Sequence, residues 1–204
     1  MKNDIYTLAH EIRNPLSVVK GYLEMLDETN ISKYKKIIIK QVDDSLNILS
    51  DYLEYSRISL NKEEIDLNVL LVDIKNTLKD YLKNQNVHLH MELMDDDIYL
   101  KADYNKLKQV FNNIIKNSIE SSSKNIDISY RIMFGRVTIC IKNDGFQMDN
   151  DTLLNIGNYF TNKETGNGIG TSLIKKIISL HNGKIKYRNN KNKGVSTFIT
   201  LTLS

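Results

Sequence analysis

Seven apolar residues near the start of the chain, Ile5, Leu8, Ile12, Leu16, Val19, Leu23 and Leu26, recur at intervals of three and four. That spacing fits one side of an α-helix and does not fit a strand. "DETN" at 27–30 interrupts it, and Tyr34, Ile38, Val42, Leu46, Leu49 and Leu53 then draw a similar stripe. Two amphipathic helices joined by a short turn form an αα-hairpin. A lone hairpin exposes much of its apolar surface, and pairing two of them into a four-helix bundle covers it. The first sixty residues therefore predict a homodimer.

From about Asn61 the pattern changes. "NKEEIDLNVLLVDIKNTLKDYLKNQ" reads as a boundary and then a helix, and "VHLHMEL" alternates as a strand. "DYNKLKQVFNNIIKNSIESS" is helical, with Asp103 placed to cap it. "IDISYRI" and "RVTICIKN" pair as strands around "MFGR". A glycine loop, a helix stopped near Gly183 and two last strands complete the chain. This order predicts an α+β sandwich, one sheet with helices on one face. With 204 residues, the chain has room for both parts.

Composition narrows the function classes. A net charge of +3 supplies no electrostatic footprint for nucleic acid, so no nucleic-acid partner is expected. No apolar run approaches the ~20 residues of a membrane span, and "MKNDIYTLAHE" is not a signal peptide. Cys140 is the only cysteine; it sits in a strand-like run and reads as a core thiol in a reducing, cytoplasmic setting. His88 and His90 share a strand face without nearby cysteines or carboxylates at ligand spacing, and read as a solvated face more readily than as a metal site.

Three stretches carry chemistry. In "HEIRNPL", residues 10–16, each residue turns ~100° about the helix, so His10 and Asn14 fall opposite the apolar stripe and one turn apart. Glu11 can orient one ring nitrogen and leave the other nucleophilic. Pro15 removes a backbone hydrogen bond and is expected to bend or loosen the helix. In "NNIIKN", Asn113 and Asn117 lie one turn apart with Lys116 beside them. Carboxamide oxygens suit Mg²⁺, and a lysine suits phosphate. In "TGNGIGTS", residues 165–172, glycines before a helix let backbone N–H groups close on phosphate oxygens. Taken singly, each stretch also reads as an ordinary polar helix face or flexible turn.

In this order and spacing the three stretches resemble the catalytic core of two-component sensor histidine kinases, over nearly the whole chain. "HEIRNPL" is similar to the phosphoacceptor motif, "NNIIKN" to the N box, and "NDGFQM" (143–148) stands where the family has D-x-G-x-G. "YFTNK" (159–163) resembles the stretch before the ATP lid, and "GNGIG" (166–170) the second glycine box.

The resemblance implies a dimerisation and phosphoacceptor domain at 1–61, a dimeric four-helix bundle. It implies an ATP-binding domain at 62–204, an α+β sandwich of the histidine kinase, Hsp90 and gyrase B type. It implies ATP and Mg²⁺ as cofactors and a response-regulator receiver domain as partner. His10 would take the γ-phosphoryl group, with Glu11 as base or ring orienter and Asn14 positioning water in the reverse reaction. Asn117 would hold Mg²⁺, supported by Asn113; Lys116 and Lys163 would contact phosphates. Gly166, Gly168 and Gly170 would let backbone reach them, and Asn143, Asp144 and Gly145 would form the base-binding box.

Two residues depart from the family pattern. Asn143 stands where an aspartate accepts from the adenine amino group, and is expected to offer a neutral carbonyl oxygen there. Gln147 stands in place of a glycine and is expected to crowd the nucleotide. Both favour a rival reading, a histidine phosphotransferase of the same fold that has lost effective ATP use and shuttles phosphate between regulator aspartates. A third reading is a binding-only module that sequesters its partner.

Overall fold

The computed structural model describes residues 2–156 and 169–204. They form two compact units, one built on residues 2–58 and the other on 59–156 with 173–204.

In the first unit α1 (Lys2–Glu24) and α2 (Ile31–Arg57) pack along one another. Side chains lock the turn between them. The Asp27 carboxylate accepts from the N–H groups of Thr29 (2.7 Å) and Asn30 (3.1 Å), while the Asn30 amide donates to the Met25 carbonyl (2.9 Å). "DETN" thus satisfies its own backbone, as short polar side chains do in turns.

The face that α2 turns to α1 differs from the expected stripe. Ile48 is buried with Leu8, and Ile12 and Tyr52 pack on the pair. Val42, Leu46, Leu49 and Leu53 are exposed. The helix carries two apolar lines about a third of a turn apart, and the spacing of three and four is satisfied by both. On α1, Leu16 and Leu23 are exposed as well.

The second unit centres on a five-stranded sheet. Its strands are β2 (His88–Met91), β4 (Asn125–Met133), β5 (Arg136–Asn143), β7 (Val195–Thr202) and β6 (Lys184–Asn189), in that spatial order. β2 runs parallel to β4; the other pairings are antiparallel. Alternation puts Ile128, Ile139, Ile141 and Ile199 on a buried face. The apolar sides of α3 (Leu67–Asn84), α4 (Tyr104–Glu120) and α6 (Ile169–Leu180) supply the rest of that core, so the helices cover one face as expected. The other face carries exposed Arg131, Lys142, Lys184, Lys186 and Arg188. Two short strands the sequence pattern does not announce, β1 (Glu63–Asp66) and β3 (Tyr99–Ala102), pair on their own. A short helix, α5 (Asn150–Asn155), follows the 143–148 segment. Among the described residues no helix is long and apolar enough to cross a membrane.

Asp103 caps α4 as expected, accepting from Lys106 N–H (3.0 Å), and its second oxygen accepts from Asn61 N–H (2.8 Å). Its own N–H donates to Nε2 of buried His181 (2.9 Å), whose Nδ1 lies 2.8 Å from the Ile177 carbonyl. The ring must be neutral to accept. Burial holds its pKa below the ordinary imidazole value, against the opposing hydrogen bond to Ile177. Below about pH 6.5 the unfolded chain therefore binds more protons than the folded one. The stability this ring contributes is complete above that pH and is lost as the pH falls through the folded-state value. Urea denaturation at pH 7.5 and 5.5 checks this: the wild type should lose more stability between the two than His181→Gln.

Candidate functional site

Leu8 and Ile12 of α1 turn toward α2, which leaves His10 and Asn14 exposed on the opposite side. Tyr6, one turn earlier, sets its ring 5.9 Å from that of His10. Glu11 is half-buried beside it. The helix runs through Pro15 without a break. Lacking an N–H, Pro15 leaves the Glu11 carbonyl without its helical donor. His10 is a solvent-facing imidazole on a rigid element, with a carboxylate next to it and an amide one turn on.

α4 is built the same way. Val110, Phe111, Ile114, Ile115 and Ser118 face the core. Asn113 and Asn117 sit half-buried at the edge of that face, one turn apart, and Lys116 is exposed. Among the described residues neither carboxamide has a hydrogen-bond partner, and the Oδ1 of neighbouring Asn112 is buried without one. Oxygen donors of this kind, beside a cation, fit a magnesium-bound triphosphate. Gly170 lies in the first turn of α6 with open space about it. Lys163, Gly166 and Gly168 lie outside the described residues.

The segment 143–148 is where structure and expectation part. Asn143 ends β5 with only 8% of its surface exposed. Its Oδ1 accepts from two backbone N–H groups, Gly145 (3.1 Å) and Val195 (3.2 Å), and its Nδ2 donates to Ser118 Oγ (3.1 Å). The expected outward carbonyl oxygen is therefore turned inward, because two fixed donors claim it; the amide nitrogen takes the other side.

Asp144 points elsewhere. Its carboxylate accepts from the N–H groups of Lys124 (2.7 Å) and Asn125 (2.9 Å) and from the Asn125 amide (2.8 Å). Burial would raise its pKa, but these donors and the Lys193 ammonium outweigh it and bring the carboxyl down to about 2. It spends its oxygens on the fold. Gly145 is needed for space, since a Cβ there would run into Ser121 and Ser123. Gln147 is exposed, and its amide donates to the Asn190 carbonyl.

The turn between β6 and β7 straps this segment. Asn190 donates to the Asn143 carbonyl (3.0 Å), and Asn189 exchanges two hydrogen bonds with the Met148 backbone (3.0 and 2.7 Å). Gly194 (φ +82°) makes the approach possible, because a Cβ there would overlap the Asn143 carbonyl. Gly194→Ala should cost at least ~2 kcal/mol, read as a fall in the melting temperature of the full chain. Ser118, Asn189, Asn190 and Gly194 have no signature in the sequence as site residues.

Cys140 is not a core thiol: it is half-buried on the face of β5 opposite Ile139 and Ile141, and burial raises its thiol pKa. His88 and His90 are exposed on β2, and the described residues contain no cluster of three or more metal-ligating side chains.

Residues 5–61 match the family described as the His Kinase A (phospho-acceptor) domain, and residues 102–204 match the Histidine kinase-, DNA gyrase B-, and HSP90-like ATPase family. The chain is similar to Sensor protein DegM of Bacillus sp. (strain B21-2), with 30% identity over 201 residues, 97% of this chain and 53% of that protein. It is similar to Sporulation kinase B of Bacillus subtilis (strain 168), with 31% identity over 206 residues, 96% and 48% respectively. The chain spans about half the length of these curated relatives. Among solved structures it is similar to histidine kinase ThkA, crystallised in complex with response regulator protein TrrA. That match has 27% identity and a TM-score of 0.80, and covers 98% of this chain and 61% of that one.

Proposed function

This chain belongs to the two-component sensor histidine kinases, and from that premise we propose that it is a cytoplasmic kinase core that moves the γ-phosphoryl group of ATP to His10 and on to an aspartate of a response-regulator receiver domain. One observation carries the reading: His10 stands exposed on the outer side of α1, with Glu11 beside it and Asn14 one turn on. Residues 1–61 form the dimerisation and phosphoacceptor domain, which pairs through the outward stripe of α2. Residues 62–204 form the ATP-binding domain.

A ring nitrogen of His10 attacks the γ-phosphorus in line. The N–P bond forms as the bond to the bridging oxygen of ADP breaks. Glu11 orients the ring and holds the proton on its other nitrogen as charge develops there. Asn117 would hold Mg²⁺ through its amide oxygen, with Asn113 supporting it. Lys116 and Lys163 would contact phosphates, and Gly166, Gly168 and Gly170 would let backbone N–H groups reach them. When bound, the metal would supply neutralisation of the charge that develops on the transferring oxygens. Asn143 faces the base, with Gly145 giving the turn beside it and Asp144 pinning that turn to β4. In the reverse reaction Asn14 positions water for dephosphorylation.

The inward turn of the Asn143 oxygen favours a second reading, a histidine phosphotransferase that exchanges phosphate between regulator aspartates without ATP. Incubating the protein with Mg²⁺ and γ-labelled ATP tests the choice. Acid-labile, base-stable label on His10 is expected of the kinase. Label taken only from a phosphorylated receiver domain would select the phosphotransferase.

A further inference from the structure

We infer that the base site of this chain takes a purine bearing a carbonyl at C6 more tightly than it takes adenine; the inference rests on the reading that Asn143 faces the base. The argument is one of hydrogen-bond polarity. Gly145 and Val195 present backbone N–H groups to Oδ1 of Asn143. These groups can only donate, so a flipped amide would set its own N–H groups against them. The oxygen is fixed inward and Nδ2 is fixed on the other side.

Nδ2 then meets Ser118 Oγ at 3.1 Å. That hydroxyl donates to the Ile114 carbonyl at 2.9 Å, so its hydrogen is committed and it receives one from the amide. The polarity runs one way, from Asn143 through Ser118 to the Ile114 carbonyl. One N–H of Nδ2 remains, and it is a donor. An exocyclic amine at C6 of the base is also a donor, and two donors cannot pair. A carbonyl at C6 accepts. A site that holds out a donor rejects a ligand lacking the acceptor, because the buried N–H is left unpaired.

Exchanging one atom inverts the preference. In Asn143→Asp the inner oxygen keeps its two backbone donors and an oxygen replaces Nδ2. The Ser118 hydroxyl can turn to donate to that oxygen, whose other lone pair accepts from the adenine amine.

Inosine triphosphate is the probe, since it differs from ATP at C6 without the 2-amino group of guanine. Calorimetry on the full chain with Mg-ITP and Mg-ATP should give ITP about tenfold tighter for the wild type. Asn143→Asp should reverse the order. The wild-type ratio decides the matter by itself if the variant misfolds. A wild type that binds ATP as tightly as ITP, or more tightly, overturns the inference and leaves the kinase reading standing. Binding of neither nucleotide at millimolar concentration overturns both.

Discussion

His10→Ala will lose at least ~10³-fold of its phosphorylation from either donor, ATP or a phosphorylated receiver, and will keep its fold. The chemistry needs a neutral nitrogen nucleophile, and alanine supplies none. No rescue by Glu11 or Asn14 is available, since neither forms a phosphoramidate. The fold is indifferent because the ring is exposed and its one described contact is the loose one with Tyr6. Alanine is also the better helix former, so the change in stability should stay within about 0.5 kcal/mol. Circular dichroism and a melting curve check the fold, and labelling followed by peptide mapping checks the chemistry. Label retained at His88, His90 or His181 would remove His10 from its role. Glu11→Gln belongs to the same experiment: if the carboxylate assists as base, transfer should slow by about 10²-fold or more.

The second large effect separates folding of the hairpin from its pairing. Ile48 is 3% exposed and Leu46 is 58% exposed, although they are two residues apart on α2. Ile48→Asp would bury a carboxylate beside Leu8 and lose the ~1.5–3 kcal/mol that burial of such a side chain contributes. It should lower the helical content of residues 1–58. Leu46→Asp leaves that contact intact and places its charge on the outward stripe with Val42, Leu49 and Leu53. It should convert the dimer to a monomer with helicity unchanged. Sedimentation equilibrium paired with far-ultraviolet circular dichroism distinguishes the two. A wild type that is monomeric at tens of micromolar would sink the bundle.

How much was legible in the sequence follows from the range of the forces involved. The hairpin, its self-bonded turn and the Asp103 cap are local, and residues within a few positions of one another specify them. The exposure of His10 and Asn14 follows from the same helical period. Which apolar line of α2 meets α1 did not follow, because both lines satisfy one spacing and the choice is made by the facing helix. β1 and β3 have four residues each, too few for alternation to stand out, and each is defined by the other across 33 to 39 positions. Asn143 is the sharpest case. Its identity suggested an outward oxygen, yet its orientation is set by Val195, fifty-two residues on, and by Ser118, twenty-five residues back. Spacing along the chain carries no trace of that polarity.

β6 is the outermost strand of its sheet, bonded on one side only, to β7. An unpaired strand edge is a template on which any extended segment can crystallise, and the first step toward a fibril is often such an addition. Here Lys184, Lys186 and Arg188 alternate along it, all exposed. A second copy arriving edge to edge would bring its own cations against these at strand spacing, where like charges repel. The charge row closes this edge of the sheet to its own kind.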